Sequence, residues 1–260
     1  MQAVRDLELL IGAAQEAGDI ARSYFDGANK VWDKPGGAGP VSEADLAVDT
    51  LLRERLTSAR PGYGWLSEET EDTSHRQDTD SVFIVDPIDG TRSFIEGSGT
   101  WAHSLAIAKH GQITAAVVYM PVKGSLYAAH KGGGAQLNGQ PLSSSSSATL
   151  NGASVLAARP TMDAGNWAGG VPQIKRHYRP SLAYRLCLVA EGRFDAMLTL
   201  RPSWEWDIAA GALILSEAGA RVSDRTGQAL QFNNPIPQTN GIVASGAGMH
   251  RELISALSVG

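Results

Sequence analysis

The chain has 260 residues, with 22 Lys and Arg against 27 Asp and Glu, a formal net charge of −5, and 43% hydrophobic residues. These proportions belong to a globular protein with a sizeable core and exclude a disordered, collagenous or coiled-coil chain. The acidic balance argues against a nucleic acid polymer as partner, because gripping phosphates calls for a basic face. Cys187 is the only cysteine, so neither an internal disulfide nor a thiolate metal cluster can form, as suits a reducing cytoplasm. Residues 1–8 lack the apolar stretch of a signal peptide, and the longest near-apolar run, 113–120, is too short to span a bilayer. A cytoplasmic protein without a membrane partner is expected.

Leu7, Leu10, Ile11, Ala14, Ala17, Ile20, Ala21, Tyr24 and Phe25 recur at three- and four-residue steps and predict a first helix, stopped near Gly27 and Asn29. A Gly/Pro loop over 33–40 precedes a second helix over 42–58, which Pro61-Gly62 breaks. Strands are predicted at 63–66 and 81–85, with a polar, mobile loop over 69–80 between them. Residues 101–109, 112–119 and 125–130 read as sequential antiparallel strands, and Asn138-Gly139 marks a tight hairpin. The serine run 143–147 is the expected seam between an N-terminal α+β half, 1–142, and a C-terminal α/β half, 148–260. Beyond it follow a strand at 153–157, a helix at 181–191, a strand at 194–200, a helix at 208–218 and a last strand at 241–244.

The most informative stretch is Val82-Phe83-Ile84-Val85-Asp86-Pro87-Ile88-Asp89-Gly90-Thr91. An apolar strand delivers Asp86 at its end, Asp89 follows three residues later, and Gly90 permits a backbone conformation that other residues resist. Thr91 can then open a short helical turn whose free N–H groups suit a phosphate. Two unit charges about 4 Å apart repel by roughly 4 kcal/mol at an effective dielectric near 20, so carboxylates facing a phosphate need cations between them. Mg²⁺, which takes oxygen ligands and bridges carboxylate to phosphate, fits. Other acids stand at matching places. Glu68 follows the strand at 63–66; Asp207 precedes an apolar helical run, where it can equally be an N-cap; Asp45 lies three residues after Ser42 at capping-box spacing.

Taken together, Asp-Pro-Ile-Asp-Gly-Thr (86–91), Ser-Glu-Glu (67–69) and Trp-Glu-Trp-Asp-Ile-Ala-Ala-Gly (204–211) resemble the inositol monophosphatase superfamily of Mg²⁺-dependent, lithium-sensitive phosphomonoesterases. The resemblance implies a layered αβαβα sandwich, an α/β (α+β) fold with the site at the junction of the halves, and two or three Mg²⁺ per site. By position it also implies metal ligation by Glu68, Asp86, the Ile88 carbonyl, Asp89 and Asp207, and phosphate binding by the Gly90 and Thr91 N–H groups. Asp45 and Thr91 match the pair that orients a water. Lys34 matches a lysine near phosphate or a third metal, or else is an exposed loop lysine. One departure is Ser67, where a Gly commonly precedes the glutamates. A homodimer is a further possibility that family membership raises.

Substrate choice rests on the C-terminal half. Leu200 stands where the inositol enzymes carry an acidic contact to the ring hydroxyls. Arg201 and Trp204, with Ser181 and Arg185, are candidate contacts to a second phosphate and a purine face, with core packing as the other reading for Trp204. The expectation therefore leans to a 3′(2′),5′-bisphosphate nucleotidase acting on 3′-phosphoadenosine 5′-phosphate, with inositol-1 (or 4)-monophosphatase as the alternative. A non-catalytic phospholigand-binding regulator is the rival of another class. Aspartyl-phosphate chemistry fails because two residues separate Asp86 from Asp89, no Gly-x-Ser-x-Gly string occurs, and the six His lack ligand spacing.

Overall fold

The computed structural model describes every residue except Asp26, Ala28, Ala38, Ser74, Val259 and Gly260. The expected loops over 33–40 and 69–80 and the C-terminal half as bounded above each include residues outside this set. In chain order the elements begin with α1 (Gln2–Phe25), the hairpin β1 (Val31–Asp33) and β2 (Pro40–Ser42), α2 (Glu43–Ala59), β3 (Gly64–Ser67), β4 (Ser81–Asp89) and α3 (Thr91–Ile95). Next come β5 (Ala102–Lys109), β6 (Gln112–Met120), β7 (Ser125–His130), β8 (Ala135–Leu137) and β9 (Gln140–Pro141). The second half contributes β10 (Ser154–Ala157), β11 (Lys175–His177), α4 (Leu182–Ala190), β12 (Ala196–Thr199), β13 (Ser203–Trp204) and α5 (Glu205–Glu217). It closes with β14 (Ala220–Ser223), β15 (Gln238–Thr239), β16 (Ile242–Gly246) and α6 (Ala247–Ala256).

Strands β3 to β9 form one sheet in sequence order, parallel between β3 and β4 and antiparallel elsewhere. A second sheet runs β11-β10-β12-β16-β14. Helices α1 and α2 bury Leu10, Ala14, Ala17, Val48, Leu52 and Leu56 against one face of the first sheet, around Phe83, Val85 and Leu105. Between the sheets lie α4 and α5, whose Leu186, Leu188, Ile208 and Ile214 share a core with Ile84, Ala106 and Val118 of the first sheet and Met197 and Ile242 of the second. On the far face α6 packs Met249 and Leu253 over Val155, Leu198 and Val243. The order is thus helix, sheet, helix, sheet, helix, the αβαβα arrangement expected. A layer covered on both faces leaves little to solvent: α4 is buried along its whole length and so is every residue of β4, its mostly apolar run interrupted by the buried Asp86 and Asp89.

Close approach of the middle helices fixes the position of α5. A Cβ at Gly211 would lie 2.7 Å from Leu186 Cβ, so only glycine lets α5 press onto α4 at this depth. The Asn138-Gly139 turn forms as predicted, with φ of 50° and 80° at the two positions. Two expectations need amendment. The segment 69–80 is not a free loop: Arg76 within it is 2% exposed and heavily hydrogen-bonded. Helix α6 and the short strands β1, β2, β11, β13, β14 and β15 are not foreseen by periodicity, because each is too short or too mixed in polarity to stand out.

Beneath the Asp-Pro-Ile-Asp turn, His103 is fully buried, its Nδ1 bonded to the Pro87 carbonyl and its ring between Trp101 and Tyr119. Burial lowers its pKa from 6.5 to about 4. The unfolded chain then binds more protons than the folded one between those values. The contribution of neutral His103 is complete above pH 6.5 and is lost as pH falls toward 4, by about 2–3 kcal/mol at pH 4.5. His103→Asn removes the titration, so chemical denaturation at pH 7.5 and 4.5 should show a smaller acid-induced loss of stability in the variant by about that amount.

Candidate active site

Strand β4 runs unbroken to Asp89, but its pairing to β5 shifts register between Asp86 and Asp89. Pro87 cannot donate to the ladder, and the Ile88 N–H bonds instead to Asp86 Oδ1 at 3.0 Å, which folds the turn back on its first carboxylate. Gly90 follows with φ 104° and ψ 36°, a conformation costly for other residues, and a Cβ there would lie 3.2 Å from the Thr100 carbonyl. The chain then enters α3 at Thr91.

Glu68, at the end of the parallel neighbour β3, faces this turn. Its loop is braced from α2: Asp49 accepts hydrogen bonds from the hydroxyls of Ser67 and of Thr70, the latter at 2.6 Å. Ser67, the departure from the usual glycine, is therefore a fastening. Asp207 enters from the other half as the third residue of α5, whose start is tied to β5 by Ser104 Oγ donating to the Trp206 carbonyl at 2.8 Å. Since Ser104 pairs with Asp86 across the sheet, that bond sets Asp207 beside Asp86.

Glu68, Asp86 and Asp207 each offer a carboxylate oxygen within 4.8 Å of the other two. Asp86 is 1% exposed. Burial first, and then the charges of Glu68, Asp89 and Asp207, push its pKa well up; burial with Asp89 and Glu68 does the same to Asp207. Such a set fits a divalent cation: oxygen donors only, like-charged, and desolvated, so that a metal relieves both repulsion and burial. Lys34 holds the outer edge, its Nζ 2.8 Å from Glu68 and 2.7 Å from Glu69. Burial raises the Glu69 pKa to about 7 despite that contact. Burial draws the Lys34 pKa down, but the two glutamates outweigh it and the net shift is upward. Lys34 thus sits at the acidic cluster and is not an exposed loop lysine.

Asp89 is placed differently from the other acids. Its Oδ2 accepts from Ser181 Oγ and the Ala183 N–H, both at 2.7 Å, and its Oδ1 from the Leu182 N–H at 3.3 Å. A carboxylate of the first half therefore caps α4 of the second, and Ser181 adopts φ 64° to do so. Asp45 is both the capping-box acid of α2 and the partner of Thr91. Its Oδ2 accepts from the Ser42 N–H and hydroxyl at 2.8 and 2.6 Å, while its Oδ1 lies 3.1 Å from Thr91 Oγ1. Thr91 Oγ1 is also 3.1 Å from the Ile88 carbonyl. Burial raises the Asp45 pKa against these hydrogen bonds.

On the C-terminal side of the cluster a cavity of about 470 Å³ opens at the ends of β10 and β12, with Leu182, Arg185, Leu200 and Arg201 in its wall. Arg185 lies over the Tyr178 ring at 4.4 Å. Trp204 stands outside that wall, stacked on Trp206 at 4.7 Å and 41% exposed. Sequence reasoning missed Asp49, Ser104, Glu69 and the buried Glu205; a glutamate between two tryptophans was the one visible sign of the last.

A deep set of carboxylate oxygens from two strand ends and a helix start, beside a glycine turn and a Thr–Asp pair, suits a divalent cation. The profile of the inositol monophosphatase family matches residues 4–259, and the chain belongs to that family, whose members are hydrolases of phosphoric monoesters. It is similar to an inositol-1-monophosphatase of Rhizobium meliloti, 36% identical over 242 residues that cover 85% of this chain and 86% of the relative. Among solved structures it resembles the extragenic suppressor protein suhB of Bartonella henselae, with TM-score 0.81, 29% identity and coverage of 96% and 97%. It also resembles SaIMPase-II solved with inositol monophosphate bound, with TM-score 0.79, 25% identity and coverage of 95% and 91%. Among the described residues, no helix is long and apolar enough to cross a membrane.

Proposed function

We propose that this chain is a Mg²⁺-dependent phosphomonoesterase acting on a small phosphorylated polyol of the inositol monophosphate kind. The observation that carries the proposal is the convergence of Glu68, Asp86 and Asp207 from both halves. Those residues, with Asp89 at the edge, would hold the cation, which supplies Lewis-acid stabilisation of phosphoryl charge and a lowered pKa for water. The chain's own groups do the rest. Thr91 and Asp45 orient the attacking water and take up its proton, Asp45 suited to this by its raised pKa. The N–H groups of Gly90 and Thr91 bind phosphate oxygens, and Lys34 balances Glu68 and Glu69.

The bisphosphate nucleotide favoured by the sequence has weaker support, because the relatives' names favour inositol monophosphate. One observation keeps it as a second reading: Arg185 and Arg201 share a cavity wall, and two guanidiniums there suit a second anionic group. A Mg²⁺-dependent comparison of kcat/KM on inositol 1-phosphate and 3′-phosphoadenosine 5′-phosphate decides between them. Wild type should prefer inositol 1-phosphate, and Arg201→Ala should change that rate by less than about fivefold, the size of a rim contact. A preference for the bisphosphate that R201A abolishes would establish the second reading, and metal-independent turnover of either would refute the first.

A further inference from the structure

Asp207 comes from one half of the molecule, Glu68 and Asp86 from the other, so the cleft depends on how firmly the halves are registered. Arg76, eight residues beyond Glu68, has a side chain only 1% exposed. Its guanidinium grips Asp72, with Nε 3.0 Å from Oδ1 and Nη2 2.7 Å from Oδ2. Its other bonds go to Asn233 Oδ1, the Asn234 carbonyl at 2.9 Å and the Pro235 carbonyl at 3.3 Å. On the opposite side Glu205, two residues before Asp207 and 0% exposed, accepts from the Asn233 N–H at 2.6 Å. It also accepts from the Asn234 N–H at 2.9 Å and Asn234 Nδ2 at 2.7 Å.

Asn233 has φ 63°, a conformation asparagine tolerates, and this turns two consecutive N–H groups toward a single carboxylate. The segment 233–235 is thus a two-faced adapter, with donors toward the Glu205 carboxylate and acceptors toward the Arg76 guanidinium. A buried cation and a buried anion are joined through it without touching. Stability alone gives no reason for this arrangement, since well-packed apolar residues serve as well as buried ionic groups. What the bridge adds is a fixed position for the first turn of α5.

We propose that Arg76, Asn233, Asn234 and Glu205 are positioning residues that hold Asp207 opposite Glu68 and Asp86 and thereby set the cleft's affinity for a divalent cation. The proposal rests on Asp207 being a ligand. Calorimetric titration with Mn²⁺ alone, on wild type, E205Q, R76K, the double variant and D207N, tests both statements separately. Arg60→Ala, which breaks the distant pair of Arg60 with Asp6, serves as a control for general loss of stability.

E205Q and R76K should each weaken Mn²⁺ binding by at least about tenfold with unchanged circular dichroism, as loss of a partner behind a metal ligand does. The double variant should be no weaker than the worse single, because both act through one bridge. R60A should lower Tm yet bind within twofold of wild type. Near-wild-type binding by E205Q and R76K alongside weakened D207N would overturn the bridge and leave the metal site standing. Near-wild-type binding by D207N would overturn the metal assignment itself. Should E205Q fail to fold, N234A removes only one of the three hydrogen bonds to Glu205, and unchanged affinity in N234A and R76K overturns the proposal.

Discussion

Asp86→Asn is expected to lower phosphate release by about a thousandfold or more while making the metal-free protein more stable. The activity loss follows from removing the most deeply buried member of the carboxylate set, since a cation's stabilisation of transition-state charge is worth several kcal/mol. The gain in stability has the opposite origin. Glu68, Asp89 and Asp207 all act on Asp86 as like charges in a desolvated place, and a neutral amide ends that repulsion. Asn keeps an oxygen for the Ile88 N–H, so the turn survives. A rise in Tm of a few degrees in metal-free buffer, for roughly 1–2 kcal/mol, should accompany the inactivation. Asp89→Asn should also inactivate but should lower Tm: burial raises the Asp89 pKa as well, but its lost hydrogen bonds outweigh the relief of that burial. It replaces an oxygen that receives N–H and O–H donors from the start of α4 by an amide group, at about 1–2 kcal/mol. Scanning calorimetry of the two variants beside phosphate assays distinguishes them; the same sign of Tm change in both would contradict this electrostatic account.

The Asp45–Thr91 pair gives the second large effect. Thr91→Ala should reduce kcat by roughly 10²–10⁴, the range of a positioned proton-transfer group. Asp45→Asn should do nearly as much with little loss of stability. The amide oxygen can still accept from Ser42, while its NH₂ turns toward Thr91 and reverses the hydrogen bond. The hydroxyl then has no carboxylate to receive a proton. Because both residues act on one water, the double variant should be barely worse than either single. Burial raises the Asp45 pKa, so in wild type activity should fall on the acid side at a pH above the ordinary 3.8, as Asp45 takes up a proton. An additive double variant, or a pH profile that Asp45→Asn leaves unmoved, would show that the two residues work apart.

The hexapeptide 86–91 was legible because its requirements are local: a buried strand, a proline, a glycine with positive φ and a short helix all stand in ten consecutive residues. Asp45 and Asp207 were legible for the same reason, each opening a helix with a recognisable cap or apolar run. Relations between distant segments were not. Nothing local in Asp89 says that it caps α4, ninety-odd residues on, or that Asp49 braces Ser67 and Thr70. Nor does the polar run 69–80 advertise that Arg76 is buried, since its partners Asn233 and Asn234 lie more than 150 residues away. Short strands such as β13 and β15 exist only because they pair with each other, so periodicity within either carries no signal.

The central claim is that acids from both halves form one divalent-cation site. Anomalous diffraction from crystals soaked in Mn²⁺ tests it most directly. The account predicts a strong anomalous peak bounded by the carboxylates of Glu68, Asp86 and Asp207, absent in Asp86→Asn crystals treated alike. Peaks confined to other surfaces, with those three carboxylates empty at saturating Mn²⁺, would contradict it.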